Sequence, residues 1–238
     1  MYHILNAIFN QMAFILNIET ATPVCSIALG KDGVLLAHKT SVEHNVHSER
    51  LTVFVENIMK ECGCDFKMLD AVAVSEGPGS YTGLRIGASV AKGLCYGLDK
   101  PLISIKTLQA MAYGMRVQCP DDGALYCPMI DARRMEVYTA LYDFNGNEIE
   151  ATTAKVIDTL SFQEILSQRK VIFAGDGMEK CREVINAPNA LFLTQFCHSA
   201  EWMIPLAEAK WKAQQFADVA YFEPFYLKEF QAGGGKRP

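Results

Sequence analysis

Half of this 238-residue chain is hydrophobic, enough apolar material for one large core or two smaller ones. Its 22 basic and 27 acidic side chains leave a net charge of −5, which argues against a protein built mainly to bind nucleic acid electrostatically. No run reaches the ~18 apolar residues that a membrane span needs. Eight cysteines are present, but only Cys62 and Cys64 lie close together, without the second pair of a zinc site. Most of the others sit in apolar runs, as reduced thiols of a cytoplasmic protein would. Clustered cations are few: Arg133-Arg134 and, at the end, Lys236-Arg237.

Residues 1–13 read as an N-terminal extension. They are apolar, but they lack the basic start and small-residue cleavage site of a signal peptide, and Met12 stands just before the first strand. Phe14–Glu19, Val24–Leu29 and Val34–Lys39 read as three strands of an antiparallel meander, the last two joined through Gly30-Lys31-Asp32-Gly33. The period then changes. Leu51, Phe54, Val55, Ile58, Met59 and Cys62 recur at helical spacing over 48–62, and Gly63 suits a C-cap. Leu69–Ser75 reads as a buried strand, 82–98 as a helix, Pro101–Ile105 as a strand and Thr107–Arg116 as a helix with a threonine cap. After Pro120-Asp121-Asp122-Gly123 the pattern restarts. Strands are predicted at Leu125–Asp131, Glu136–Asp143, Glu148–Lys155 and Val171–Gly175, and helices at Phe162–Ser167 and Trp202–Gln215. The order matches an α/β, actin-like (ribonuclease-H-like, ASKHA) fold of two lobes, each a mixed sheet with flanking helices. The lobes are expected over 14–118 and 119–230, with a frayed tail at 231–238.

Residues 71–91 carry the most chemistry. A strand runs into Gly77-Pro78-Gly79 and then a helix with Gly83, Gly87 and Ala91 on one face, and Gly93 and Gly97 further round. The loop lacks the P-loop pattern and misses G-x-G-x-x-G by one residue. It either cradles a phosphate at a helix N-terminus or lets two backbones pack closely. Because each helical glycine costs ~1 kcal/mol, close packing is favoured. Glu19 stands where an actin-like ATPase places an acid, yet the following Thr20-Ala21-Thr22-Pro23 has no glycine, and Pro23 removes an amide. Gly175-Asp176-Gly177 is a weak second-lobe counterpart that reads as an ordinary turn. His44 and His47 form an H-x-x-H pair with no third ligand apparent; His3 and His198 supply none by spacing. Ser75, Ser80 and Cys25 have no base at a motif spacing, and G-x-S-x-G is absent.

Taken together, Phe14–Leu29, His47-Ser-Glu-Arg-Leu51, Val74–Leu84 with Arg85-Ile86-Gly87, Gly93–Ile105, and Met129-Ile130-Asp131-Ala132-Arg133 resemble the TsaB (YeaZ) family. Its members are bacterial partner proteins in making the threonylcarbamoyladenosine of tRNA. The resemblance implies kinship with the catalytic subunit TsaD, once labelled a glycoprotease, whose metal is held by two histidines four apart. Thr107 and Met111 occupy those places here, and neither suits a catalytic metal. The resemblance therefore implies a non-catalytic scaffold with no catalytic, metal or cofactor residues of its own. It would pair with TsaD, be joined by the ATPase TsaE and form a homodimer when alone, while the acidic balance implies that it meets tRNA only indirectly. The two helices of the first lobe are the expected interface, through Leu51, Phe54, Val55, Ile58, Gly83, Gly87 and Val90. A Gly87→Trp variant is expected to block pairing while leaving the lobe folded. An actin-like kinase and a metallopeptidase are the alternatives, but of the kinase's needs only Glu19 and the weak Gly175–Gly177 turn are present.

Overall fold

The computed structural model describes residues 13–42 and 47–228, with only the backbone given for 47–49. The proposed extension up to Met12, His44 and the 231–238 tail lie outside the described residues. Two five-stranded sheets of the same topology account for the fold. The first contains β1 (Phe14–Glu19), β2 (Cys25–Lys31), β3 (Val34–Ser41), β4 (Ala71–Gly77) and β5 (Leu102–Lys106), in the order β3-β2-β1-β4-β5. The second contains β6 (Leu125–Asp131), β7 (Glu136–Tyr142), β8 (Glu148–Val156), β9 (Val171–Ala174) and β10 (Ala190–Phe192), in the order β10-β9-β6-β7-β8. In each, the meander pairs antiparallel and the last two strands add in parallel. Positive φ at Asp32 and Gly33 makes the tight β2–β3 turn that the sequence signalled.

Alternation along β1 assigns its two faces. Phe14, Leu16 and Ile18 join Leu51, Val55, Ile58, Ala91 and Cys95 in one cluster, beneath α1 (His47–Glu61) and α2 (Tyr81–Leu98). Ile15 faces the other way, toward Ala110 of α3 (Thr107–Gln118) and toward Met203, Ile204 and Ala207. Leu108, Met111 and Met115 of α3 meet Tyr126, Tyr142 and Ile172 of the second sheet, so α3 lies between the sheets. The outer face of that second sheet is covered by α4 (Gln163–Gln168) and α5 (Glu179–Arg182).

The last helix departs from expectation. Read as part of the second lobe, it forms a 3-10 turn over Ala200–Met203 and α6 (Ile204–Lys212), both packed on the first sheet. The Ala200 amide donates to Ser26 Oγ on β2 at 3.0 Å, and Ala217 pairs with Leu102 of β5. The chain therefore crosses back after β10, and residues 200–222 belong structurally with 14–118. No helix among the described residues is long and apolar enough to cross a membrane.

Candidate functional site

In an actin-like arrangement the loops after β1 and β4, the start of α3 and the β9 end converge on the cleft between the sheets. Here several of the amides of those loops are bonded within the chain. The Ala21 amide donates to Glu19 Oε1 at 2.6 Å, and the Val24 amide donates to Thr22 Oγ1. On the opposing loop, the Ser80 amide donates to the Ala21 carbonyl at 2.7 Å and the Gly83 amide donates to Ser80 Oγ, the N-cap of α2. The Gly77 amide donates to Thr107 Oγ1 at 3.1 Å. A phosphate held in this loop would have to displace partners already bonded to these amides.

Close packing therefore explains the glycines. A Cβ on Gly79 would lie 2.2 Å from the Ala21 carbonyl oxygen, one on Gly83 2.1 Å from that of Thr20, and one on Gly87 2.2 Å from Thr20 Oγ1. The stripe accommodates the β1–β2 loop of its own chain. Gly93 and Gly97 are different, since nothing lies within 4 Å of a Cβ at either.

The two positions expected to have lost metal ligands are occupied by side chains with structural duties. Thr107 is fully buried and holds Gly77, and Met111 is buried with its methyl 2.7 Å from where a Gly175 Cβ would stand. Of His47 only the backbone, opening α1, is described. Among the described residues no three His, Cys, Asp or Glu side chains are grouped as a metal would need.

Glu19 meets an unforeseen partner. His198, on the segment that returns from the second lobe, places Nε2 2.8 Å from Glu19 Oε2, and both side chains are buried. The approach is off the hydrogen-bonding direction, and His198 Nδ1 has no partner. Burial pushes the Asp176 carboxyl above its usual range, while the nearby Asp131 amide bond and the charge of His198 pull the other way. No spacing pattern ties His198 to Glu19, which lie 179 residues apart in sequence. Only the crossover brings them together.

The expected interface residues divide. Leu51, Val55 and Ile58 are buried under their own sheet, each contributing about 1.5–3 kcal/mol to the lobe. Gly83 and Gly87 are closed off by Thr20. Phe54 and Val90 pack partly on the same core and are half-buried. The outward surface of α1 and α2, which lie against each other, instead shows Val53, Gly93, Gly97 and Tyr96, the last 87% exposed. The Gly87→Trp test is corrected accordingly: tryptophan there would be driven into Thr20, so it would damage the lobe itself.

Thiol chemistry has no foothold in the cleft. Burial pushes Cys25, aided by the Glu19 charge, and Cys95 up to about 11, and Cys127 up to about 12. The thiolate is the reactive form, so at pH 8 about one Cys25 in a thousand is competent. Iodoacetamide at pH 8 is expected to alkylate exposed Cys197 first and to leave Cys25, Cys95 and Cys127 untouched until denaturant is added. Mass spectrometry of the native reaction checks this; early labelling of Cys127 would contradict it.

Comparison with known proteins agrees with this geometry. The chain matches the family described as "TsaD: tRNA N6-adenosine threonylcarbamoyltransferase" over residues 41–229. It is 31% identical to the tRNA threonylcarbamoyladenosine biosynthesis protein TsaB of Escherichia coli K12, across 90% of this chain and 94% of that one. The solved structure of YeaZ from Pseudomonas aeruginosa superposes with a TM-score of 0.79 at 26% identity, covering 91% of this chain and all of that one. At the level of fold alone, the ADPNP-bound activator of the 2-hydroxyisocaproyl-CoA dehydratase from Clostridium difficile aligns with a TM-score of 0.50 at 11% identity, over 85% and 97% of the two chains.

Proposed function

This chain belongs to the TsaB (YeaZ) family of tRNA threonylcarbamoyladenosine biosynthesis proteins, and we propose that it is the non-catalytic partner subunit of the threonylcarbamoyltransferase. It pairs with TsaD, and TsaE joins the assembly that modifies adenosine 37 of tRNA. One observation carries the reading. Loop amides that a phosphate site of this fold would use are engaged within the chain: Ala21 donates to Glu19, Ser80 to Ala21, Gly83 to Ser80 and Gly77 to Thr107. Free thiols and the biosynthetic role favour the cytoplasm as its setting.

Pairing is assigned to the outward surface of α1 and α2, where Phe54 and Val90 border Val53, Gly93, Tyr96 and Gly97. A small-residue stretch flanked by apolar and aromatic groups suits the close approach of another helix. The same surface would serve a second copy of this chain when TsaD is absent. A Gly93→Trp variant meets open space in the free lobe, so its melting temperature is expected to stay within a few degrees of the parent. Co-purification with TsaD should fall at least tenfold, and tRNA modification with it. Full co-purification by the well-folded variant would move the interface elsewhere. Micromolar binding of ATP with magnesium and turnover by the chain alone would overturn the non-catalytic reading.

A further inference from the structure

The turn joining β6 to β7 carries two adjacent non-glycine residues in the left-handed region, Arg133 at φ 71° and Arg134 at φ 49°. Neither is a residue type that visits this region readily, as Asn, Asp and Gly do. The turn is firmly held. The Arg133 amide donates to Asp131 Oδ1 at 3.0 Å, the Glu136 amide to the Arg133 carbonyl, and the Ala132 amide to the Glu136 carbonyl. Both arginines are exposed, and among the described residues neither guanidinium has a partner.

Their neighbours are also cationic. Lys180 pairs with Asp131 and also donates to the Glu136 carbonyl, and Lys228 pairs with Glu136. Four cations thus stand beside three carboxylates, those of Asp131, Glu136 and Asp176, the last accepting from the Asp131 amide. Lys228 reaches the turn through its ion pair with Glu136, three residues beyond Arg133. The turn also stands at the boundary between the lobes. Lys228 follows Phe225, whose amide donates to the Glu76 carbonyl of the first lobe, and the Asp131 amide donates to Asp176 Oδ1.

We propose that the Arg133–Arg134 turn contacts the phosphate backbone of the RNA substrate. This rests on the family reading of a role in tRNA modification, and it departs from the expectation of indirect contact drawn from the net charge of −5. Net charge acts at long range and is screened beyond ~10 Å at 0.1 M salt, whereas two unpaired guanidinia at contact distance act locally. Holding the pair on a rigid turn lowers the ordering cost of forming both contacts.

The test compares the parent with an Arg133→Asn/Arg134→Gly double variant. Asn and Gly suit the positive φ values, so the fold should be kept or stabilised. An Arg133→Lys/Arg134→Lys variant retains the charge. Binding of an unmodified tRNA transcript is measured against salt, with the chain alone at low salt and with the chain together with TsaD and TsaE. Removing two phosphate contacts should lower low-salt affinity roughly tenfold and flatten the log–log salt slope by about 1.4–1.8. The lysine variant should keep the parental slope. An unchanged slope in the Asn/Gly variant, in either format, overturns the proposal. Co-purification with TsaD is scored separately, so a failure of pairing is distinguishable, and the chain-alone titration still decides the RNA contact.

Discussion

A Gly87→Ala variant is expected to lose about 1–3 kcal/mol of stability, a large share of the about 5–15 kcal/mol that holds a typical domain folded. The added methyl would stand 2.2 Å from Thr20 Oγ1 but 3.4 Å from Thr20 Cβ. That hydroxyl is buried and makes no hydrogen bond, so removing it forfeits little. Thr20→Ala alone should therefore be nearly neutral, and Gly87→Ala in the Thr20→Ala background should recover most of the loss. The four-way comparison isolates the contact as a coupling energy. Gly83→Ala offers no such rescue, because its obstacle is the Thr20 backbone carbonyl. Gly93→Ala meets nothing and should gain about 0.5–1 kcal/mol of helix stability. Chemical denaturation of the parent and the five variants decides it. Equal costs for Gly87→Ala with and without the Thr20 hydroxyl would show that the stripe is not packed as described.

His198→Ala is expected to have the largest effect. It leaves the buried Glu19 carboxyl with the Ala21 amide as its one hydrogen-bond donor among the described residues and a cavity where the imidazole stood, and the lost polar partner and the cavity together cost about 3–5 kcal/mol. For a chain of this size that is a fall in melting temperature of roughly 6–20 °C. The loss should concentrate where the chain crosses back between lobes, so limited proteolysis should cut within residues 193–199 before it touches the first sheet. Glu19→Met with His198→Phe removes both polar partners and should be less damaging than His198→Ala alone. A His198→Ala protein with parental melting and proteolysis would demote the pair to a bystander.

The repeated meander-helix-strand pattern was legible because its signals are local. Alternation along Phe14–Glu19, the Asp32-Gly33 turn and the helical spacing of Leu51, Val55 and Ile58 each follow from neighbours within a few residues. The same locality misled the interface reading. Amphipathic spacing shows that Leu51, Val55 and Ile58 share a face, but cannot say whether that face covers its own sheet or another chain. The glycine stripe read as a surface for another helix, yet the object packed against it is Thr20 of the β1–β2 loop, 63 residues before Gly83.

From the residues came the two actin-like sheets and, through the motifs they carry, the family. The tertiary structure alone decided which way each face points. It returned α6 to the first lobe, set His198 against Glu19, closed the Gly-Pro-Gly loop with Ala21, and left Arg133 and Arg134 without a partner among the described residues. The reason is physical. Backbone periodicity is set by steps of two to four residues, whereas a buried pair or a steric contact depends on segments that meet only after the chain has folded.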